Sequence, residues 1–221
     1  PGDAVALLKA LSAVAHQEDP YRMTVVATHH EGDLNDVTDL TCWNKYHGWY
    51  YWNVHNFARW VDKQHAQYPE RRLCMSEYGA GGSVKQHSEL NYNVPTAGPW
   101  HPENYQAYIH EVTYGYISER PWLWASFLWN MFDFGVVKRN EGDRPNQNDK
   151  GMVTFDRKTK KDAFFFYKAN WNPEPMIYIT NRRFVSRRSP MIEAKVYCNA
   201  GPVTLTVNGA HIKMKSKGNM V

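Results

Sequence analysis

The feature that most constrains the fold of this chain is the alternation of short apolar segments with helical patterns through residues 1–171. Apolar residues recur at helical spacing from Ala4 to Ala15, which predicts an amphipathic helix with one core face, and Asp19-Pro20 ends the pattern. The segment 23–28 is β-branched and apolar on both faces, as in a parallel strand covered by helices. Strands that alternate with helices predict βα units, and therefore an α/β fold with a parallel sheet or barrel.

The same alternation continues through the rest of this region. The remaining patterns predict strands at 39–44, 72–77 and 122–127, and helices at 56–65, 104–118 and 162–171. The chain has 221 residues in all, whereas a complete (β/α)8 barrel usually needs ~250. These elements can therefore account for only part of such a barrel.

Composition changes at 172–175, where Asn-Pro-Glu-Pro separates the helical patterns from a region of alternating strands. Three short strands are predicted there, at 176–179, 193–197 and 203–207. Asn208-Gly209 is a strong hairpin turn signal. An immunoglobulin-like sandwich requires ~100 residues, about twice what this region offers. We therefore predict that residues 172–221 form the start of an immunoglobulin-like β-sandwich.

Charge and hydropathy exclude several kinds of partner. The formal net charge of +4 is modest, and the basic cluster in 182–188 lacks a motif that reads nucleic-acid grooves. No segment approaches the ~18 consecutive apolar residues of a membrane span. We therefore expect neither a nucleic-acid partner nor a membrane span. The compartment stays open, and the periplasm and the extracellular space are both compatible with the sequence.

The three cysteines and ten histidines indicate no metal site. The wide cysteine spacing fits neither a disulfide framework nor a metal knuckle, so Cys42 and Cys74 are interpreted as small buried hydrophobic residues. No His-Glu-x-x-His motif occurs, and His29 and His30 would point to opposite faces of a strand. No cofactor is identifiable from these residues.

Glu77 is the leading candidate for chemistry. It ends an apolar predicted strand, where a carboxylate is costly to desolvate, and in parallel barrels the functional groups collect where strands end. Aromatic faces beside a carboxylate and fixed polar groups suit carbohydrate binding. The alternative to a functional site is that Glu77 is a surface glutamate and that the aromatic residues only fill the core. The residues that follow the neighbouring strands are Asn44, Tyr46, Tyr50, Trp129, Asn130 and Asp133.

Four segments resemble successive signatures of glycoside hydrolase family 2, which includes β-galactosidases and β-glucuronidases. They are 44–50 (NKYHGWY), 76–81 (SEYGAG), 129–134 (WNMFDF) and 148–157 (NDKGMVTFDR). The segments occur in the family's order and spacing, and the resemblance covers residues 1–171. It implies a retaining glycosidase that cleaves terminal β-linked sugars, in β-glycosides or oligosaccharides.

The resemblance also implies roles for individual residues. Glu77 matches the nucleophile that forms a covalent glycosyl-enzyme. Tyr46 matches a tyrosine whose hydroxyl lies beside that carboxylate. The remaining matches, to substrate-binding positions, are Asn44, Trp129, Tyr50 and Lys150.

One part of the family's pattern is missing. The family's acid/base is a glutamate that follows an asparagine at the end of the fourth barrel strand, ~5–5.5 Å from the nucleophile. The Asn-Glu pair of this chain, Asn140-Glu141, lies in a polar loop instead. We therefore expect residues 1–171 to be the last four βα units, the C-terminal half of a (β/α)8 TIM barrel truncated at its N-terminus. Such a piece would be inactive alone and would lack a targeting segment. Because its strand edges are exposed, it would either self-associate through them or be a proteolytic or engineered piece.

The sequence leaves the substrate open. The segments 177–183 and 203–209 resemble the β domain of many family 2 β-galactosidases, which favours a β-galactoside. Asn148 and Lys150 form an Asn-x-Lys pair similar to one that receives the sugar carboxylate in β-glucuronidases, so a β-glucuronide is the alternative. A third alternative is a non-catalytic carbohydrate-binding protein that keeps the aromatic residues without the chemistry.

Overall fold

The computed structural model describes three stretches of the chain, residues 2–51, 53–89 and 94–216. The predicted β domain ends with 217–221, which lie outside the described residues. The chain divides into two compact units: Pro1–Ala80 with Val112–Asn130, and Gly81–Glu111 with Met131–Val221. The predicted domain boundary between residues 171 and 172 stays a prediction.

The first unit is built on a three-stranded parallel sheet in the order β1, β2, β3. The strands are β1 (Val25–Thr28), β2 (Leu40–Asn44) and β3 (Leu73–Glu77). Helix α1 (Gly2–Glu18) precedes the sheet, and helix α2 (Asn56–Gln67) connects β2 to β3. A 3-10 turn, Asp33–Asp36, lies between β1 and β2. The predicted α/β pattern with a parallel sheet is therefore confirmed.

Helix α1 is where the prediction of a core face is wrong. Its apolar side chains are largely exposed, with exposed fractions of 60% at Leu7 and 54% at Leu11. Val25 on β1 is exposed as well. Among the described residues β1 pairs with β2 alone, so the apolar groups on this side have no further layer to pack against. Self-association through this edge stays a prediction.

Residues 122–127, predicted as a fourth strand, form no regular strand. The segment runs beside β3 and is joined to it by three backbone hydrogen bonds. The Trp124 N–H donates to Leu73 O (3.2 Å), the Met75 N–H donates to Ala125 O (3.1 Å), and the Phe127 N–H donates to Met75 O (2.7 Å). These bonds form one isolated parallel bridge, between Met75 and Ser126. The strands of the described residues form no closed barrel, so the half-barrel assignment stays a prediction.

The interpretation of Cys42 and Cys74 as free buried residues is wrong. They lie opposite each other in the register of β2 and β3, and a disulfide joins them with the Cα atoms 4.6 Å apart. Both are buried, as predicted, and Cys198 is the free cysteine of this chain. Sequence spacing gave no sign of the bond because the register of the strands, set by the fold, brings the two Cβ atoms together.

The second unit combines helix α4 (Asp162–Trp171) with short antiparallel strand pairs. The pairs are β4 (Phe134–Gly135) with β5 (Gln147–Asn148), β6 (Ile177–Ile179) with β7 (Val196–Cys198), and β8 (Leu205–Val207) with β9 (Ala210–Ile212). Helix α3 (Glu103–Ser118) belongs to this unit as far as Glu111. Phe165 of α4 stacks on Tyr178 of β6 with ring centroids 3.7 Å apart.

The three predicted C-terminal strands are present as β6, β7 and β8. Burial alternates along β6 and β7 but not along β8, whose residues are half-buried or exposed. The strand predicted from 193 begins later, at Val196. Asn208 and Gly209 both have left-handed backbone angles, φ 49° and 84°, as a two-residue hairpin turn requires. The immunoglobulin-like assignment of this region stays a prediction. None of the helices in the described part of the chain is long and apolar enough to cross a membrane.

Candidate active site

Glu77 and Tyr46 form the centre of the candidate active site. Glu77 ends β3 and is level with Asn44, the last residue of β2, in the sheet register. The Tyr46 hydroxyl donates a hydrogen bond to Glu77 Oε2 at 2.6 Å, and the Lys45 backbone N–H donates to Glu77 O at 2.9 Å. Tyr46 is buried and Glu77 is half-buried. The parallel sheet therefore holds a carboxylate at its carboxyl end with one oxygen fixed by a short hydrogen bond.

Asn44 lies beside this pair and is held by β3. The Ser76 hydroxyl donates to Asn44 Oδ1 at 2.7 Å, which fixes the orientation of the amide. The Asn44 amide nitrogen makes no hydrogen bond to another residue that the structure describes. An oriented amide whose N–H groups remain available suits a substrate hydroxyl, which accepts hydrogen bonds.

Two aromatic residues complete the predicted group in the first unit. Tyr50 is 49% exposed, and its ring centroid lies 5.1 Å from that of Tyr46. Trp129 is half-buried, and its backbone N–H donates to Tyr78 O at 2.9 Å, which brings it next to the end of β3. The Trp129-Asn130 peptide bond is cis. Aromatic surface and polar groups thus surround one carboxylate, as carbohydrate binding requires.

Lys45, to which the sequence patterns assign no role, supports this end of the sheet. Lys45 lies between Asn44 and Tyr46, and its Nζ donates to His29 O at 2.7 Å. Three aromatic rings enclose the ammonium, with centroids 5.2 Å away at Trp43 and Trp60 and 5.5 Å away at Tyr51. Cation–π contacts of this kind strengthen when the cation is partly desolvated.

The aromatic enclosure also sets the charge of its neighbours. Burial lowers the pKa of Lys45, while the charge of Glu31 opposes that change. Burial, followed by the charge of Lys45, lowers the pKa of His47 to about 4. His47 is therefore neutral at neutral pH. The motif 44–50 does indicate this arrangement, because it contains a lysine among aromatic residues. Trp60, however, lies on α2, and its sequence spacing gives no sign that it contacts Lys45.

Lys150, the remaining predicted site residue, belongs to the second unit. It is 2% exposed, and its backbone N–H donates to Asn148 Oδ1 at 3.0 Å. Asn148 is therefore a local support of the turn that carries Lys150. The Asn-x-Lys spacing seen in the sequence corresponds to this turn.

Asp133, which the sequence groups with the polar residues at the strand ends, has a different environment. It is 3% exposed, and its Oδ1 accepts hydrogen bonds from Lys161 Nζ at 2.8 Å and from the Gly151 N–H at 2.8 Å. Burial raises the pKa of Asp133, and the charge of Lys161 opposes this. Asp133 is thus committed to bonds within the protein. Across the described ranges, no group of three or more His, Cys, Asp or Glu residues could hold a metal ion.

Comparisons with known proteins relate the chain to glycosidases, although no family model matches it. A β-glucuronidase from Bacteroides fragilis is 48% identical over 207 residues, which are 93% of this chain and 30% of that protein. A crystal structure from Bacteroides fragilis, provisionally named a β-galactosidase, has a TM-score of 0.93 and 37% identity over 97% of this chain and 32% of its own.

Two further structures carry the name β-glucuronidase. The FMN-binding β-glucuronidase of Faecalibacterium prausnitzii L2-6 has a TM-score of 0.90 and 38% identity over 96% of this chain and 33% of its own. Bacteroides uniformis β-glucuronidase 2, covalently bound to cyclophellitol-6-carboxylate aziridine, has a TM-score of 0.83 and 27% identity over 98% of this chain and 27% of its own. The chain is therefore a homologue of β-glucuronidase and β-galactosidase-like glycosidases, and it spans a third or less of their length.

Proposed function

We propose that this chain carries the nucleophile of a retaining β-glycosidase of glycoside hydrolase family 2, and that the substrate is a β-glucuronide. The observation that carries the proposal is the 2.6 Å hydrogen bond from the Tyr46 hydroxyl to Glu77 Oε2, at the ends of two neighbouring parallel strands. Proposed substrate contacts are Asn44, Tyr50, Trp129 and Lys150.

In the proposed reaction the Glu77 carboxylate attacks the anomeric carbon and forms an ester with the sugar, while the bond to the leaving oxygen breaks. A general acid protonates that oxygen, and the same group then removes a proton from the water that hydrolyses the ester. The Tyr46 hydroxyl stabilises negative charge on Glu77 as the ester breaks and the carboxylate reforms.

The general acid is the second carboxyl group that retaining hydrolysis requires, ~5–5.5 Å from the nucleophile. Because the chain matches 30% of the length of its β-glucuronidase relative, we assign this group to a part of the protein outside these 221 residues. The isolated chain is then expected to bind the nucleophile's side of the sugar without completing turnover.

The preference for a glucuronide over a galactoside is supported by Lys150 and by the names of the relatives. A lysine ammonium balances the negative charge of a sugar carboxylate, and a galactoside offers no such group. The Bacteroides uniformis relative is named as covalently bound to a carboxylate-bearing cyclitol. A β-galactosidase, the first choice of the sequence analysis, stays the second candidate because one similar structure carries that name provisionally.

The test uses the complete protein and a 2-deoxy-2-fluoro-β-glucuronosyl fluoride, which slows hydrolysis of the covalent intermediate. We expect intact mass to increase by one fluoro-sugar and peptide mapping to find the sugar on Glu77. Nitrophenyl β-glucuronide should turn over faster than nitrophenyl β-galactoside. A label on another residue would reject Glu77, a faster galactoside would reject the substrate, and sugar binding without a label would favour the non-catalytic alternative.

A further inference from the structure

The ammonium of Lys161 is enclosed within the second unit. The side chain is fully buried, and Nζ donates to Gly82 O at 2.6 Å, to Asp149 O at 2.8 Å and to Asp133 Oδ1 at 2.8 Å. These acceptors use all three donors of an ammonium group. Because one acceptor is a carboxylate, Asp133 balances the buried charge.

The same hydrogen bonds fix both neighbours of Lys150. The Asp149 carbonyl accepts from Lys161 Nζ and from the Gly82 N–H at 3.1 Å. The Gly151 N–H donates to Asp133 Oδ1 at 2.8 Å. Gly151 is needed for this approach, since a Cβ there would lie 2.0 Å from the Asp133 backbone nitrogen. The backbone on each side of Lys150 is therefore held against groups that are distant in sequence.

The two carboxylates of this network are each held by another side chain. The Asp133 carboxylate is paired with Lys161, and Asp149 Oδ2 lies 2.7 Å from His101 Nδ1. Asp149 also experiences the charge of Lys150. Without Lys161, the charge of Asp133 would be uncompensated in a region of low dielectric, and the Asp149 carbonyl would lose one of its two donors.

We propose that Asp133 and Lys161 are positioning residues for the recognition of a substrate carboxylate by Lys150. Their ion pair holds residues 149–151 in place, and with them the backbone from which the Lys150 side chain extends. A buried ion pair is by itself weak evidence for a role in stability, whereas this pair bonds to the backbone of both residues that flank Lys150. The inference rests on the proposed β-glucuronide substrate.

The experiment measures KM and kcat for nitrophenyl β-glucuronide with the complete protein, normalised to active sites by trapping with the fluoro-sugar. The variants are Lys161→Met, Gly151→Ala and, as the reference, Lys150→Ala. We expect each of them to raise KM by about tenfold or more, the effect of losing one charged hydrogen bond, while kcat per active site changes less than KM. Gly151→Ala alters no charge and decides the question if Lys161→Met does not fold.

Matched controls are Lys160→Met and Gly135→Ala. Lys160 is the exposed neighbour of Lys161, and a Cβ at Gly135 would lie an ordinary 4.0 Å from the Asn146 backbone oxygen. Both should leave KM unchanged. If Lys150→Ala raises KM while Lys161→Met and Gly151→Ala only reduce the number of active sites, the positioning role is wrong and the substrate proposal stands. If Lys150→Ala leaves KM unchanged, the carboxylate-binding role of Lys150 fails instead.

Discussion

The carboxylate of Glu77 in the first unit and those of Glu103 and Asp162 in the second differ in what surrounds them. Glu77 is half-buried and accepts the hydroxyl of Tyr46. Glu103 and Asp162 are each 1% exposed, and the Arg183 guanidinium binds both of them. The Asp162 N–H also donates to Glu103 Oε1 at 2.9 Å.

The pair in the second unit is satisfied on nearly every side. Burial opposes the ionisation of Glu103, yet hydrogen bonds from His87 and Arg183 hold its pKa below the usual value. Burial and the charge of Glu103 raise the pKa of Asp162. Tyr178 Oη donates to Asp162 Oδ1 at 2.7 Å. A carboxylate with this many protein donors serves the framework, whereas one with lone pairs left over, such as Glu77, is available to a ligand.

Glu77→Gln is the strongest test of the distinction between an available carboxylate and a framework carboxylate. In the complete protein we expect kcat to fall by about 10⁴-fold or more, as for the loss of a catalytic nucleophile. The free energy of unfolding should change by no more than about 1 kcal/mol, because Glu77 makes few bonds within the protein. Steady-state kinetics and urea denaturation measure the two effects.

Glu70→Gln is the matched control, since Glu70 is exposed at the end of the connection that follows α2. It should change neither quantity. A Glu77→Gln variant that retained turnover would remove the nucleophile from the proposal. A variant that lost several kcal/mol of stability, on the scale of a broken buried ion pair (about 3–5 kcal/mol), would place Glu77 with the framework carboxylates.

Arg183→Met tests the other side of the comparison. It leaves two buried carboxylates without their guanidinium, and we expect the free energy of unfolding to fall by about 3–5 kcal/mol. The control is Arg120→Met in the first unit, where the partner Asp62 is 54% exposed; such a pair contributes about 0–1 kcal/mol. Equal losses in the two variants, measured by urea denaturation, would contradict the distinction between buried and exposed pairs.

The elements of the fold could largely be predicted from local patterns. The helix at Asp162–Trp171 and the strand at Leu73–Glu77 follow from apolar spacing and from the residues that bound them. Glu77 could be chosen because it ends a predicted strand, and Tyr46 because the segment 44–50 resembles a motif of the family. The register of β2 and β3 brings the two residues together.

Other features depend on contacts between segments that are distant in sequence. The Cys42–Cys74 bond follows from the strand register, which no local pattern specifies. Asp133 follows the predicted strand 122–127 as Tyr46 follows the predicted strand 39–44. Its contact with Lys161, which no local pattern specifies, is what makes Asp133 a framework carboxylate. The exposure of Leu7 depends on what lies beyond β1, which periodicity cannot report.

The disulfide allows a test with a smaller expected effect. It cross-links the first unit covalently, whereas buried ion pairs hold the second unit together. Cys42→Ala combined with Cys74→Ala should lower the free energy of unfolding by about 3–4 kcal/mol, the loop-closure effect for residues separated by 32 positions. Cys198→Ala should cost about 1 kcal/mol or less. Urea denaturation with and without a reducing agent measures the effect. If reduction leaves the wild-type transition unchanged, the bond does not contribute to stability.

Two buried histidines, one in each unit, extend the comparison to pH. Burial, followed by the charge of Lys45, lowers the pKa of His47 to about 4. Burial, followed by the charge of Lys161, lowers the pKa of His110 to about 3. Both pKa values lie below the unfolded value of about 6.5. Between the two, the unfolded chain therefore binds more protons than the folded protein. Stability that is fully present above about pH 6.5 is therefore lost as the pH falls toward the folded pKa.

As the pH falls from about 6.5 to 4, the free energy of unfolding should decrease by about 2–3 kcal/mol less in His47→Phe than in the wild type. A phenyl ring suits this position because Tyr51, Phe57 and Trp60 surround it, with ring centroids 5.3, 5.7 and 5.5 Å away. For His110→Phe, the difference in unfolding free energy from the wild type should keep growing down to about pH 3, because the folded pKa of His110 is lower than that of His47. Urea denaturation at a series of pH values measures both windows. Parallel wild-type and His47→Phe curves over this range would mean that the folded protein accommodates the imidazolium, contrary to the burial of His47.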